Sequence, residues 1–400
     1  MQAPLEDQGE QHITLRATPP PSHNTDAVPQ PALTPSVIIP TFNRAKLLPR
    51  TLRSLVAQTL PADQFEILIV DTRSTDSTKT VVEDFIASHP ANRVRYLYEE
   101  QPGLLAARHR GVLEAHGEVL VFIDSDVAAA PNWLRTIRGC FQDPAVHIVG
   151  GPILPDYEQA PPDWLEAMWT REPTGRSLGY LCLIDLGDRV QWISPIFVWG
   201  ANLSIRTQTL IALKGFHPDQ FPSDLEHFRG DGEIGLALKA GQARHYALYH
   251  PDVRVLHHVG RQRMTPEYFE LRYFQQGIAD SYTRIRRRAR MRRGGTSQRI
   301  RYALGTLKTH ALHTIGPSAA RWFRSPTGAA GRRRCIDQEA VGARGADIGA
   351  LYERFWDAHA RGVEFHLKAV RDIPELLEWI VRDDYWDYRL PRPDQAAPGR

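Results

Sequence analysis

Asp124 and Asp126, one residue apart in Asp124-Ser125-Asp126, are the side chains best suited to share a cation and a ribose. Hard cations such as Mg²⁺ or Mn²⁺ take oxygen ligands and bridge diphosphate oxygens. The same string also serves as a polar turn, where Asp is common. In Val70-Asp71-Thr72-Arg73-Ser74-Thr75-Asp76, Asp71 can accept from a pyrimidine N–H or a ribose hydroxyl. Ser74 or Asp76 can cap the helix that follows. Arg44 can pair with phosphate or stand as an ordinary loop arginine. Asp231 and Glu233 sit in Arg229-Gly230-Asp231-Gly232-Glu233, either as acids favoured at a helix N-terminus or as a general base facing a cleft. His257-His258 follows an apolar run, as a strand-end metal ligand or a solvated pair.

These clusters need elements to hold them. Val37-Ile38-Ile39 before Pro40 reads as a buried strand, and Leu47, Leu48, Leu52, Leu55 and Val56 recur at helical spacing. The alternation continues with strands at 65–70, 94–98 and 119–123 and helices around 81–86 and 104–115. The run at 119–123 is apolar throughout, as a strand covered on both faces should be. Regular alternation predicts a mostly parallel sheet with right-handed crossovers. Ligands of such sheets bind beyond the carboxyl ends of the strands, which directs attention to residues 41–44, 71–76 and 124–126.

The chain has 400 residues, 42% hydrophobic and 24% charged, in the range of an ordinary globular protein. Its 49 basic and 46 acidic residues leave +3, no general case for nucleic acid or membrane. Cys140, Cys182 and Cys335 are far apart and odd in number, which fits a reducing cytoplasm better than a disulfide framework. The start carries no basic stretch followed by an apolar run, and no apolar run approaches the roughly 20 residues of a membrane span. Residues 1–34 are rich in Pro, Gln, Ser and Thr and read as a disordered tail. Residues 151–198, rich in Pro and Trp, lack periodicity; Trp164, Trp169 and Trp192 there could stack on sugars or fill a core. A helix is expected over 264–282. Leu351, Phe355, Leu367, Leu376, Leu377 and Ile380 mark buried positions of a final helical stretch over 348–385.

Together the clusters resemble a family 2 inverting glycosyltransferase of the GT-A fold, over about residues 35–260. Val37-Ile38-Ile39-Pro40-Thr41-Phe42-Asn43-Arg44 is similar to that family's first strand and nucleotide loop. Val70-Asp71 through Asp76 matches its second nucleotide motif, with Thr72-Arg73 where the family usually has Asp-Gly. Gly103-Leu104 through Arg108 and Gly111 resembles the helix beside the nucleotide, with His109 in place of the usual Asn. Gly200-Ala201-Asn202 is similar to a turn near the acceptor, and Gly230-Asp231 through Leu236 to the acidic acceptor motif, where Gly230 replaces the usual first acid.

The resemblance implies an α/β GT-A fold, with a mostly parallel central sheet flanked by helices and a helical C-terminal appendage. It implies a glycosyltransferase domain over 35–262, while the residue pattern of the remainder reads as a helix and basic linker over 263–334, a helical region over 335–385 and a tail over 386–400. Pro40, Thr41, Asn43, Arg44, Asp71, Ser74, Arg108 and Asp124 would bind the nucleotide sugar. Asp126 and His257 would hold Mg²⁺ or Mn²⁺, Asn202 and Glu233 would face the acceptor, and Asp231 would be the catalytic base. The donor would be a UDP- or GDP-sugar and the acceptor a glycan or a lipid-linked glycan of the cell surface. The alternative is a noncatalytic sugar-nucleotide or glycan-binding protein. Arg284, Arg286, Arg287, Arg288, Arg290, Arg292 and Arg293 form a basic run. It lacks the interleaved aromatics of single-strand binders, so nucleic acid is not expected; an anionic membrane face and a solvated helix are the two readings.

Overall fold

The computed structural model describes residues 33–293 and 345–387. Of the expected segments, 1–32, the linker over 294–344 and the tail after 387 lie outside the described residues. Strands β1 (Pro35–Thr41), β2 (Glu66–Asp71), β3 (Val94–Tyr98) and β4 (Val119–Phe122) alternate with helices α1 (Leu48–Val56), α2 (Thr78–Ser88) and α3 (Leu104–Glu114). Then follow β5 (Val127–Ala129), α4 (Trp133–Cys140), β6 (Ile148–Gly150), β7 (Ile153–Tyr157), α5 (Asp163–Glu166), β8 (Thr170–Glu172), β9 (Gly175–Leu178), β10 (Leu183–Asp185) and β11 (Gln191–Ile193). Next are β12 (Leu203–Arg206), α6 (Thr207–Ala212), α7 (Gly232–Gln242), β13 (Ala247–Tyr249) and β14 (Val255–Val259). The C-terminal part is α8 (Pro266–Arg293), α9 (Gly345–Asp372) and α10 (Pro374–Val381).

The main sheet runs β11-β13-β6-β12-β4-β1-β2-β3. β1 pairs in parallel with β2 and β4, and β2 with β3, whereas β12 is antiparallel to β4 and β6. This is the α/β architecture with a helical appendage that the sequence implied. Every residue of β1, β2 and β4 is buried, the consequence of cover on both faces. α3 lies close on β1 because Gly111 has no side chain: a Cβ there would stand 2.5 Å from Ile38 Cγ2.

Residues 151–198 form most of a second sheet, ordered β5-β14-β7-β10-β9-β8. Its strands are three to five residues long, too short to leave a readable period. β5 is the direct continuation of the Asp124–Asp126 turn, so this second sheet starts at the candidate site.

α8 and α9 pack together where two glycines face each other's backbone. A Cβ on Gly277 would lie 2.1 Å from the His359 carbonyl oxygen, and one on Gly362 1.9 Å from that of Phe274. Trp164, partly buried, packs edge-on to Phe269 at 5.1 Å between ring centres, against the core. Phe355, Leu376 and Ile380 are buried as expected, but Leu367 and Leu377 are exposed and Leu351 is partly buried. Pro374 restarts the helix after Ile373 and turns the face that α10 presents. The helix expected over 264–282 runs on through the basic residues as α8.

Candidate active site

Asp124, Ser125 and Asp126 leave β4 at its carboxyl end and pass into β5. Asp124 is half-buried; burial and the neighbouring Asp126 carboxylate push its pKa up, against the pull of Arg108. Asp126 is buried, which acts to raise its pKa, but the positive charges of Arg263 and Arg44 carry it well below the usual carboxylate range. The turn is tied to β14, since His258 N–H donates to the Asp126 carbonyl at 3.0 Å and His257 pairs with Val127.

That register brings Asp126 and His257 together from positions 131 residues apart. His257 Nε2 stands 3.4 Å from Asp126 Oδ1 and 2.9 Å from Arg263 Nη1, and the same nitrogen of Arg263 is 3.5 Å from Asp126 Oδ2. A guanidinium keeps its protons, so Arg263 donates and Nε2 accepts, leaving the ring proton on Nδ1, which is buried without a partner. A neutral imidazole lone pair and a carboxylate therefore converge on one positive group. Those donors fit a divalent cation that also takes oxygens from a bound diphosphate. They do not fit an all-protein cage: among the described residues no group of three or more His, Cys, Asp or Glu side chains is arranged to hold a metal ion.

The two expected nucleotide loops are stitched to each other. Asn43, at φ 53°, accepts on Oδ1 from the Thr75 N–H at 2.8 Å, and its own N–H donates to Ser74 Oγ at 2.8 Å. Asp71 accepts from the Ser74 N–H at 2.9 Å and from the Tyr96 hydroxyl at 2.8 Å. Asp76 accepts from the Thr78 N–H at 3.0 Å and the Ala45 N–H at 3.2 Å. Asn43, Ser74 and Asp76 thus shape the loops, while Thr41, buried at the end of β1, keeps a hydroxyl oxygen without a hydrogen-bond partner. Pro40 lies inside β1, and Arg44 is held through its N–H on Thr78 Oγ1 at 2.9 Å.

Arg108 projects from α3 into the interior, 2% exposed. Nη1 donates to Glu233 Oε2 at 2.8 Å, and the guanidinium carbon lies 5.0 Å from the centre of the Phe216 ring. Burial opposes its charge, but Glu233 and Asp124 hold the proton on. Glu233, at the start of α7, also accepts from the Gly200 N–H at 3.2 Å. A Cβ on Gly200 would fall 1.8 Å from Arg108 Nη2, so the guanidinium has its place only because residue 200 is glycine.

Asp231 precedes α7 and turns to other partners. Its two oxygens accept from His217 Nδ1 at 2.6 Å and Thr283 Oγ1 at 2.7 Å. Burial lowers the His217 pKa to about 4, more than the adjacent Asp231 restores, so His217 is the neutral donor. Asp231, whose burial acts to raise its pKa, is brought below the usual value by His217 and Thr283. Asp124, Arg108 and Glu233 therefore share one neighbourhood, and Asp231 opens on the α8 side of α7. Asn202, expected at the acceptor, is buried as a brace: Oδ1 accepts from Trp133 Nε1 at 2.9 Å and Nδ2 donates to the Val253 carbonyl at 2.8 Å. Sequence reasoning missed Arg263, His217 and Thr283. None sits in a recognisable string, and only the packing of β14, α7 and α8 brings them to the acids.

Residues 36–202 match the family model described as Glycosyl transferase family 2. Glycosyltransferase AglE of Haloferax volcanii is 33% identical over 118 residues, 30% of this chain and 38% of that protein. Validoxylamine A glucosyltransferase of Streptomyces hygroscopicus subsp. jinggangensis is 37% identical over 112 residues, 28% of this chain and 26% of that protein. The glucosyl-dolichyl phosphate glucuronosyltransferase of Haloferax volcanii is 23% identical over 250 residues, 61% of this chain and 75% of that protein. The first two similarities thus span well under half of the relatives' lengths. Among solved structures, a mannosyltransferase of Pyrobaculum calidifontis in complex with GDP-Man and Mn²⁺ aligns with a TM-score of 0.49 and 22% identity, over 88% of this chain and 90% of that one.

Proposed function

We propose that this chain, whose residues 36–202 match the model of glycosyl transferase family 2, moves a sugar from a nucleoside diphosphate to an acceptor hydroxyl with inversion. The observation that carries the reading is the convergence of Asp124, Asp126, His257 and the Arg108–Glu233 pair at the carboxyl end of β4. Thr41, Asp71 and the Asn43–Ser74 loop frame would receive the nucleoside. Asp124 would meet the ribose, and Arg108 would offset charge building on the leaving diphosphate. Asp126 and His257 would hold Mg²⁺ or Mn²⁺, which supplies Lewis-acid stabilisation of that leaving group when bound. Glu233 would orient Arg108 through their ion pair.

Asp231 would take the acceptor proton. The neutral His217 and the Thr283 hydroxyl hold its carboxylate ionised and oriented, as a base needs. A glycan or lipid-linked acceptor accords with the name of the Haloferax glucuronosyltransferase, which acts on a glucosyl-dolichyl phosphate. No described helix is long and apolar enough to cross a membrane; contact with an anionic membrane face through the basic end of α8 would bring the enzyme to such an acceptor.

The test is a panel of UDP- and GDP-sugars with mass detection, run on the wild type, Asp231→Asn and Asp126→Ala. Asp231→Asn should lower transfer about 10²- to 10⁴-fold with nucleotide binding retained. Asp126→Ala should lose the Mn²⁺-dependent part of nucleotide affinity in calorimetry. Near-normal turnover by Asp231→Asn would remove that residue as base. A wild type that binds nucleotides but transfers no sugar favours the noncatalytic alternative.

A further inference from the structure

With Nε2 accepting from Arg263, His257 Nε2 and Asp126 Oδ1 are two acceptors that stand only 3.4 Å apart. A positive group beside both offsets their repulsion, and Arg263 supplies it. Its Nη1 lies 2.9 Å from His257 Nε2 and 3.5 Å from Asp126 Oδ2. The guanidinium is steadied from behind, where Nε donates to the Tyr268 hydroxyl at 3.2 Å and the guanidinium carbon lies 5.7 Å from the Tyr268 ring centre. The three members are not equally fixed. Arg263 keeps 19% of its side chain exposed, whereas His257 and Asp126 are buried. It stands on the short turn Arg261–Arg263 between β14 and α8, while His257 is held inside β14.

One lone pair decides what else can enter. A neutral imidazole offers a single lone pair to a donor or a metal, and on His257 it is the one that Arg263 uses. Nδ1, buried and carrying the ring proton, offers no second. A metal on that lone pair would stand about 2.1 Å from the nitrogen, deep inside contact with Nη1. Arginine and metal therefore exclude each other at His257. We infer that Arg263 is the resident cation of the Asp126–His257 pair and yields its place to Mg²⁺ or Mn²⁺ when a nucleoside diphosphate binds with the ion. The inference rests on the donor-site reading above and adds to it an order of loading. A buried carboxylate without a positive partner is costly, so Arg263 stabilises the site before loading. When both ligands bind, the diphosphate gives the displaced guanidinium an anion to meet. Metal alone would break the arginine contacts with nothing to replace them.

Titration of the full chain with Mn²⁺, followed by electron paramagnetic resonance of the free ion, tests it without turnover. In the absence of nucleotide, Arg263→Met should bind Mn²⁺ at least about tenfold more tightly than the wild type, because no charge-assisted contact has to break. Asp126→Ala added to that variant should abolish the gain. Arg261→Met removes an exposed charge from the same turn and should match the wild type; an equal gain there would mean general repulsion and overturn the inference. Tyr268→Phe loosens the guanidinium but keeps its charge, so it should shift affinity in the same direction, and it replaces Arg263→Met if circular dichroism shows that variant unfolded. Saturating UDP should narrow the gap between wild type and Arg263→Met; a gap that UDP leaves unchanged overturns the order of loading. Unchanged or weaker Mn²⁺ binding by Arg263→Met and Tyr268→Phe overturns the competition and leaves the metal site standing. Absence of Mn²⁺ binding to the wild type even in saturating UDP overturns the metal assignment beneath it.

Discussion

At the scale of single residues, the site depends on one missing side chain as much as on the charged ones present. Gly200 lets Arg108 lie flat against the backbone and reach Glu233. Gly200→Ala would drive a methyl group into a guanidinium that is buried and cannot step aside into solvent. Loss of a charge-assisted hydrogen bond costs about 1.5–3 kcal/mol, so nucleoside diphosphate affinity should fall roughly ten- to hundredfold, measured by calorimetry with fold retention checked by circular dichroism. Unchanged affinity would mean that Arg108 does not meet the diphosphate. Asp126 could be picked out as a candidate by its place after a strand, and Arg108 by the family resemblance. Gly200 was legible only as part of a turn. Its purpose is steric, and steric exclusion depends on what lies opposite.

At the scale of elements, the appendage is held by the crossing of α8 and α9 at Gly277 and Gly362. Two effects of opposite sign compete if Gly277 becomes alanine. Helix propensity favours alanine by about 0.8–1 kcal/mol, whereas overpacking costs about 1–3 kcal/mol. With backbone oxygen 2.1 Å from the new carbon, the second effect should win. Urea denaturation should show Gly277→Ala less stable by about 1–3 kcal/mol; a stabilised variant would mean that the helices do not cross there. The alternation that builds β1 to β4 was readable because long apolar strands and amphipathic helices each leave a period. The second sheet was not, since its short strands bury partners supplied by β14, and register between distant segments leaves no mark in either. His109 shows the same limit. Its neutral ring accepts from the Phe216 N–H at 3.0 Å and stacks on Trp386 at 4.0 Å, tying α3 to the far end of the chain.

At the scale of the whole molecule, buried neutral histidines set the response to acid. Burial pushes His109 to about 3, and His217 and His366 to about 4, from an ordinary 6.5. A group whose pKa falls on folding contributes in full above its unfolded value and loses that contribution as pH falls toward the folded one. Stability should therefore decline from about pH 6.5 toward 4, by at most about 1.4 kcal/mol per pH unit for each such group. Asp124 and Asp219, both pushed up by burial, act in the opposite sense and blunt the lower end. Thermal melts from pH 7.5 to 4.5 should show the decline, and His109→Gln, which can still donate and accept, should make it shallower; a melting temperature flat across that range would refute buried neutral histidines. By itself the sequence determined the parallel α/β core and the acids at the strand ends, because periodicity and polar punctuation are local properties of a chain. Only the tertiary structure decided which partners those acids meet. Asp126 acquires His257 through the β5–β14 register, Arg108 acquires Glu233 through Gly200, and Asp231 acquires Thr283 from α8. Each of these is a contact between distant segments, whose energy depends on distance and burial rather than on order along the chain.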